Sequence, residues 1–66
     1  MNNTINVEII EKFRVENNIS KTKFCKMCKI SLNTLNKIMA NNFNFEITAL
    51  FRIARIIKIE VYQMFN

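Results

Sequence analysis

Apolar residues stand at Ile5, Ile9, Ile10 and Phe13 with polar residues between them, the spacing that lays one stripe along one face of a helix. The stripe predicts a first helix over about residues 5–17, closed by the run "ENN", where Asn18 suits a left-handed terminator. Ser20 can cap a second helix over 21–28, whose apolar Phe24, Cys25 and Cys28 share a face. Ser31 is the next capping residue. The helix after it, 32–40, sets Leu35, Ile38 and Met39 on one side and Asn33, Asn36 and Lys37 on the other. The run "NNFNF" interrupts the pattern, with Asn41 or Asn42 placed to end that helix and Asn44 to cap the next. A fourth helix is predicted from Glu46 or Ile47 to Ile57, striped by Ile47, Leu50, Ile53, Ala54 and Ile57. The closing "EVYQMF" predicts a short fifth helix that returns Met64 and Phe65 to the core. The run "RIIKIEVY" alternates enough to imitate a strand, but the helical stripe from Ile47 to Ile57 is longer and better matched, so the expectation is an all-α chain.

Composition sharpens that picture. The 66 residues hold one small domain, 1–66, with a thin core that buries roughly 60% of the unfolded chain's surface. Gly and Pro are both absent, where average usage would give about four or five Gly and about three Pro. Tight hairpins are thereby disfavoured, and Asn is left to supply positive φ. The N-terminal run has no basic segment leading into an apolar one, so no secretory signal is expected. No apolar run approaches the roughly 20 residues of a membrane span. Two cysteines in that context fit reduced thiols in a cytoplasm.

The pair of short helices, 21–28 and 32–40, is joined only by "KIS", a connection that permits nothing but a tight bend, as in a helix-turn-helix over about 21–40. The run "ISKTKFCKMCKISLNTLNKIMANN" resembles the helix-turn-helix of the phage-repressor (Cro and lambda-repressor-like) family, whose usual one-letter pattern is LSQEELAxxxGVSxxTISxxENG. Ile19 and Ser20 match its opening Leu-Ser, Phe24 its Leu, and Cys25 the small residue that lets the two helices approach. Ile30 and Ser31 match the Val-Ser of the turn, Thr34 the Thr, Leu35 the buried Ile and Ile38 the apolar residue one turn on. Downstream, "ITALFRIARIIKIEVYQMF" is similar to the family's LETLLKIAKALGVSLDELF, and upstream Phe13, Arg14 and Asn18 match Leu, Arg and Gly. The resemblance spans nearly the whole chain and implies a compact five-helix lambda-repressor-like domain. The four positions where the family prefers Gly carry Asn18, Lys29, Asn41 and Lys58, and a left-handed Lys costs roughly 1 kcal/mol relative to Gly. The family often pairs its helix-one Arg with a Glu late in helix three; here that position is Met39, and Arg14 lacks that partner.

The resemblance implies a sequence-specific double-stranded DNA-binding transcriptional regulator of repressor type, with the helix 32–40 in the major groove. Leu32, Asn33, Asn36 and Lys37 are the base-facing set by matching position. Asn can contact adenine twice, Lys can donate to guanine, and Leu can pack on a thymine methyl. Phosphate contacts would come from Lys21, Thr22, Lys23, Thr34 and the region of Asn41. A net charge of +5 supplies the salt-sensitive part of affinity. The partner implied is a palindromic operator bound by a homodimer, with Phe51, Tyr62 and Phe65, and Phe43 or Phe45 beside them, left to form an isologous patch. Taken singly, each feature has a plainer reading. The charge can be a solvated surface, Leu32 a shield over the helix junction, Asn33 and Asn36 ordinary surface residues, and the aromatics ordinary core.

The competing class is a protein-interaction module, antitoxin-like or anti-repressor, that keeps the fold without specific DNA binding. Neither reading involves an enzyme, a cofactor, a membrane or a small-molecule substrate: the chain has no His, no Gly-rich phosphate loop and no carboxylate pair placed for acid-base work. Cys25 and Cys28 form a CxxC pair, yet a structural zinc site needs four ligands and only a site shared between two subunits would supply them. The thioredoxin-like redox alternative needs strands the pattern does not predict. The two thiols are read as compact core residues instead.

Overall fold

Four α-helices and a closing 3₁₀ turn follow one another through residues 4–66, the part of the chain that the computed structural model describes; residues 1–3 of the expected domain lie outside it. The helices are α1 (Val7–Glu16), α2 (Lys21–Cys28), α3 (Leu32–Met39) and α4 (Thr48–Ile57), and the 3₁₀ turn is Val61–Met64. Among the described residues there is no strand, only an isolated antiparallel bridge between Ile5 and Phe65.

Each α-helix ends in the same way. Asn18, Lys29, Asn41 and Lys58 have φ of 54°, 58°, 56° and 62° and are the left-handed residues of the described chain. After each, the next N–H reaches back five residues: Ile19 to the Arg14 carbonyl, Ile30 to Cys25, Asn42 to Lys37 and Ile59 to Ala54, at 2.8–3.0 Å. Such a closure satisfies carbonyls that a helix end would leave bare, and three of the four donors are isoleucines that return apolar surface to the core side. Without a single Gly, two Asn and two Lys carry conformations that a Cβ disfavours.

Starts follow the expected chemistry at two helices and depart from it at two others. Ser20 and Ser31 accept the Lys23 and Thr34 N–H groups at 3.1 and 3.0 Å, capping α2 and α3. Asn44 does not cap α4. Its own N–H turns to the Asn42 side chain, and α4 starts after Ile47 with no side-chain cap. The first helix starts at Val7 rather than residue 5, because Ile5 is drawn out of line. Its N–H donates to Asn41 Oδ1 at 2.5 Å, its carbonyl accepts from Asn41 Nδ2 at 3.4 Å, and it pairs with Phe65. Next to it the Asn6 N–H donates to the Met64 carbonyl and the Asn66 N–H to the Thr4 carbonyl, tying the two ends of the described chain together. The expected fifth α-helix is a four-residue 3₁₀ turn, closed by a reciprocal pair in which the Glu60 N–H donates to Gln63 Oε1 at 2.8 Å. So short a segment closes more tightly with i to i+3 bonds than with an α turn.

The core is built from Ile5, Ile10, Phe24, Leu35, Ile38, Leu50, Ile53 and Met64, all essentially without solvent contact. Burying each such side chain contributes about 1.5–3 kcal/mol. The helix α4 is its spine, burying Ala49, Leu50, Ile53, Ala54 and Ile57, while Ile47 is exposed rather than part of the stripe. No polar or charged residue is buried among the described residues. A radius of gyration of 10.8 Å matches the roughly 11 Å expected of a folded chain this long.

Candidate functional site

The bend between α2 and α3 fixes the orientation of α3. Lys29 turns the chain left-handed, Ile30 closes α2, and Ser31 both accepts the Thr34 N–H and donates its hydroxyl to Thr34 Oγ1 at 2.9 Å. A hydrogen bond from Arg52 Nη1 to the Lys29 carbonyl, 2.7 Å long, fastens this bend to α4. Sequence reasoning missed that link, since nothing local pairs residues 23 positions apart. Leu35 and Ile38 lock α3 into the core on its inner side.

On its outer side α3 presents the expected four residues together. Leu32 is 45% exposed, Asn33 and Asn36 are exposed, and Lys37 is half-buried. Asn33, Asn36 and Lys37 spend no side-chain hydrogen bond or ion pair within the described chain, so their polar groups are free for an external ligand. Lys21, Thr22 and Lys23 line the exposed first turn of α2, and Thr34 is half-buried behind the Ser31 hydroxyl. Asn41, the last of the expected phosphate set, is largely engaged inside the fold. Its side-chain oxygen and one amide hydrogen are spent on Ile5 and its own N–H on the Ile38 carbonyl, which leaves the second amide hydrogen as its remaining donor.

A groove of about 370 Å³ runs along this side of α3, with Ser31, Thr34 and Lys37 on one wall and Asn44, Thr48 and Arg52 on the other. It adds Arg52, which is not among the expected site residues, to the cations near α3. Eight of the ten cations lie between Lys21 and Lys58, against one carboxylate, Glu46. The positive charge is therefore carried by α2, α3 and α4, whereas α1 holds Glu8, Glu11 and Glu16. Arg14 is not unpaired: it forms an ion pair with Glu11 on its own helix and donates to the Ile19 carbonyl at 3.0 Å. The Arg14 hydrogen bond holds the Glu11 carboxyl below its ordinary range. Stability from this pair is present above the ordinary Glu range and is lost as pH falls through the lowered value. Because Glu11 is exposed, the effect is small and screened by salt.

Of the aromatic residues, Phe51 is 54% and Tyr62 75% exposed, but Phe65 is half-buried against Ile5 and has little surface to offer a partner. Phe43 and Phe45 stack on each other, centroids 6.0 Å apart. Cys25 and Cys28 are free and buried, and burial pushes the Cys28 thiol up to about 11. Among the described residues no three His, Cys, Asp or Glu side chains gather as a metal site requires, and no helix is long and apolar enough to cross a membrane.

Set against protein-family models, curated proteins and solved structures, the chain matches none.

Proposed function

We propose that the chain is a sequence-specific double-stranded DNA-binding regulator of the phage-repressor type, with α2 and α3 as its helix-turn-helix and α3 in the major groove. The observation that carries the reading is the outer side of α3: Leu32, Asn33, Asn36 and Lys37 lie side by side, free of internal partners, on a short helix held rigidly from behind. Asn and Lys are the donors that read adenine and guanine edges, and Leu32 offers an apolar surface for a thymine methyl. Lys21, Thr22 and Lys23 supply phosphate contacts at the start of α2, and the groove wall adds Thr34 and Arg52. Support for the family comes from the turns, because the four left-handed residues coincide with the four positions where the resembled pattern carries Gly.

One domain of this size reads a half-site, so two copies act on a palindrome, meeting through a face that contains Phe51 and Tyr62. Selection of bound sequences from a random DNA pool tests the reading. Enrichment of a palindrome is the expected result; no enrichment, together with salt-insensitive capture of a protein, favours the interaction module. Asn36→Ala and Lys37→Ala should each weaken binding to the enriched site by about 1–3 kcal/mol without changing the fold. Unchanged affinity in both removes α3 from the readout.

A further inference from the structure

Beyond the Arg52–Lys29 hydrogen bond lies a second concavity of about 430 Å³, lined by Met27, Cys28, Lys29, Arg52, Arg55 and Ile56. No residue of α3 contributes to it. Half of its lining residues are apolar: Met27 is exposed, Ile56 half-buried and Cys28 buried. The other half are cations, with no carboxylate; between Glu16 and Glu60 the sole carboxylate is Glu46, which lines the other groove. Arg55 and the Lys29 side chain make no hydrogen bond or ion pair within the described chain, and Arg52 spends one of its five N–H donors on the bend.

We propose that this groove docks an acidic segment of a protein partner, in which an apolar side chain lies between carboxylates. The apolar side chain covers Met27 and Ile56, while the carboxylates meet Arg52, Arg55 and Lys29. Charge complementarity sets the sign of the partner, and the guanidinium fork matches a carboxylate in two parallel hydrogen bonds. Met27 and Ile56 favour a peptide, whose apolar side chain they can cover, over a phosphate backbone that is charged along its length. The volume lies in the range of about 300–1,000 Å³ typical of ligand clefts, enough for a few side chains rather than a lone anion. Because Lys29 and Arg52 border both grooves, the residues that distinguish this one are Arg55 and Ile56. Arg52 is shared with the groove beside α3, so a ligand there competes for that one guanidinium, while Arg55, Met27 and Ile56 belong to this groove alone.

The test is a titration of the isotope-labelled full chain with a synthetic peptide of repeated Asp-Asp-Leu-Leu units, followed by amide chemical shifts. Saturable shifts at Met27, Arg55 and Ile56 are expected, with affinity falling about tenfold or more in Arg55→Glu while that variant keeps the parent's dispersed spectrum. Peptides of Asp-Asp-Ser-Ser and Lys-Lys-Leu-Leu units should bind far more weakly. The proposal is overturned by equal binding of the Asp-Asp-Ser-Ser peptide, by shifts confined to α3 or the start of α2, or by the absence of saturation. A random DNA duplex that shifts Arg55 and Ile56 more strongly than the peptide does also overturns it, and assigns the groove to nucleic acid.

Discussion

Cys25 and Cys28 show how the same two residues change meaning with their surroundings. A CxxC pair is reactive when a thiolate is stabilised beside cations or a helix N-terminus. Here both thiols are buried against Phe24 and the apolar core, and desolvation holds them in the protonated form. A disulfide reagent at neutral pH should therefore react slowly with the folded protein and rapidly in denaturant, monitored by the released chromophore; fast stoichiometric reaction of the native chain would mean the thiols are not held inside. Burial also has a pH consequence with a definite sign. The Cys28 value rises from an ordinary 9 to about 11, so the folded state keeps a proton that the unfolded state loses. That contribution is complete below pH 9 and is lost as pH climbs through about 11, which chemical unfolding across that range should show as a fall in stability reduced in Cys28→Ala. Cys25, 4% exposed, lies on the buried face of α2 together with Phe24 and Cys28. Cys25→Ala should fold and bind as the parent does, whereas Cys25→Leu should overpack the junction and cost about 1–3 kcal/mol, read by urea denaturation.

Helix ends are where this chain differs most from a generic helical domain. Lys58 closes α4 at φ 62° with no side-chain hydrogen bond or ion pair to offset the strain of its Cβ. Lys58→Gly should raise stability by roughly 0.5–1 kcal/mol, the relief of left-handed strain less the extra entropy Gly gives the unfolded chain. A rise of several degrees in thermal midpoint is the expected reading, and a fall would mean the Lys side chain contributes something its exposure does not suggest. These turns were legible in the sequence, as were the serine caps and the buried stripe Leu50, Ile53, Ala54 and Ile57, because each depends on residues within a turn or two. The contacts that were not legible are those between distant residues. Asn41 holding Ile5 across 36 positions pulls Ile5 out of the first helix, and Arg52 reaching Lys29 across 23 fastens the α2–α3 bend. Neither leaves a periodic trace. Arg14 lacks the late helix-three partner, as Met39 implies, and pairs instead one turn away with Glu11, while Asn44, a good capping residue by type, lies three residues before Ile47, after which α4 begins. At the proposed DNA surface the sequence placed α3's four outward residues together but missed the groove beside them, which exists only once α4 packs against α3.

At the scale of the whole molecule, charge and shape constrain how the proposed regulator would work. Positive charge gathered on α2, α3 and α4 makes affinity for any duplex fall steeply with salt, the logarithm of the binding constant changing by about −0.9 per phosphate contact for each unit of log salt. Lys21→Ala and Lys23→Ala should each weaken binding uniformly across sequences and reduce that slope by about one, whereas Asn36→Ala should leave the slope and lower the preference for the selected site. The domain measures 33 × 21 × 18 Å, while half-sites one helical turn apart are separated by about 34 Å. Two domains bound at that spacing would touch with their long axes along the duplex, and in that arrangement a contact surface adds to operator affinity directly. Phe51 and Tyr62 are the aromatic residues with most surface to give, and Phe65, held by Ile5, contributes little. Phe51→Glu should shift sedimentation toward the monomer and weaken operator binding while leaving the thermal midpoint and non-specific binding near those of the parent, because an exposed side chain at this position does not hold the core. If the parent sediments as a monomer at high concentration and also on operator DNA, the two-fold arrangement is wrong and the palindrome loses its structural basis; if Phe51→Glu dimerises as the parent does, the interface lies elsewhere.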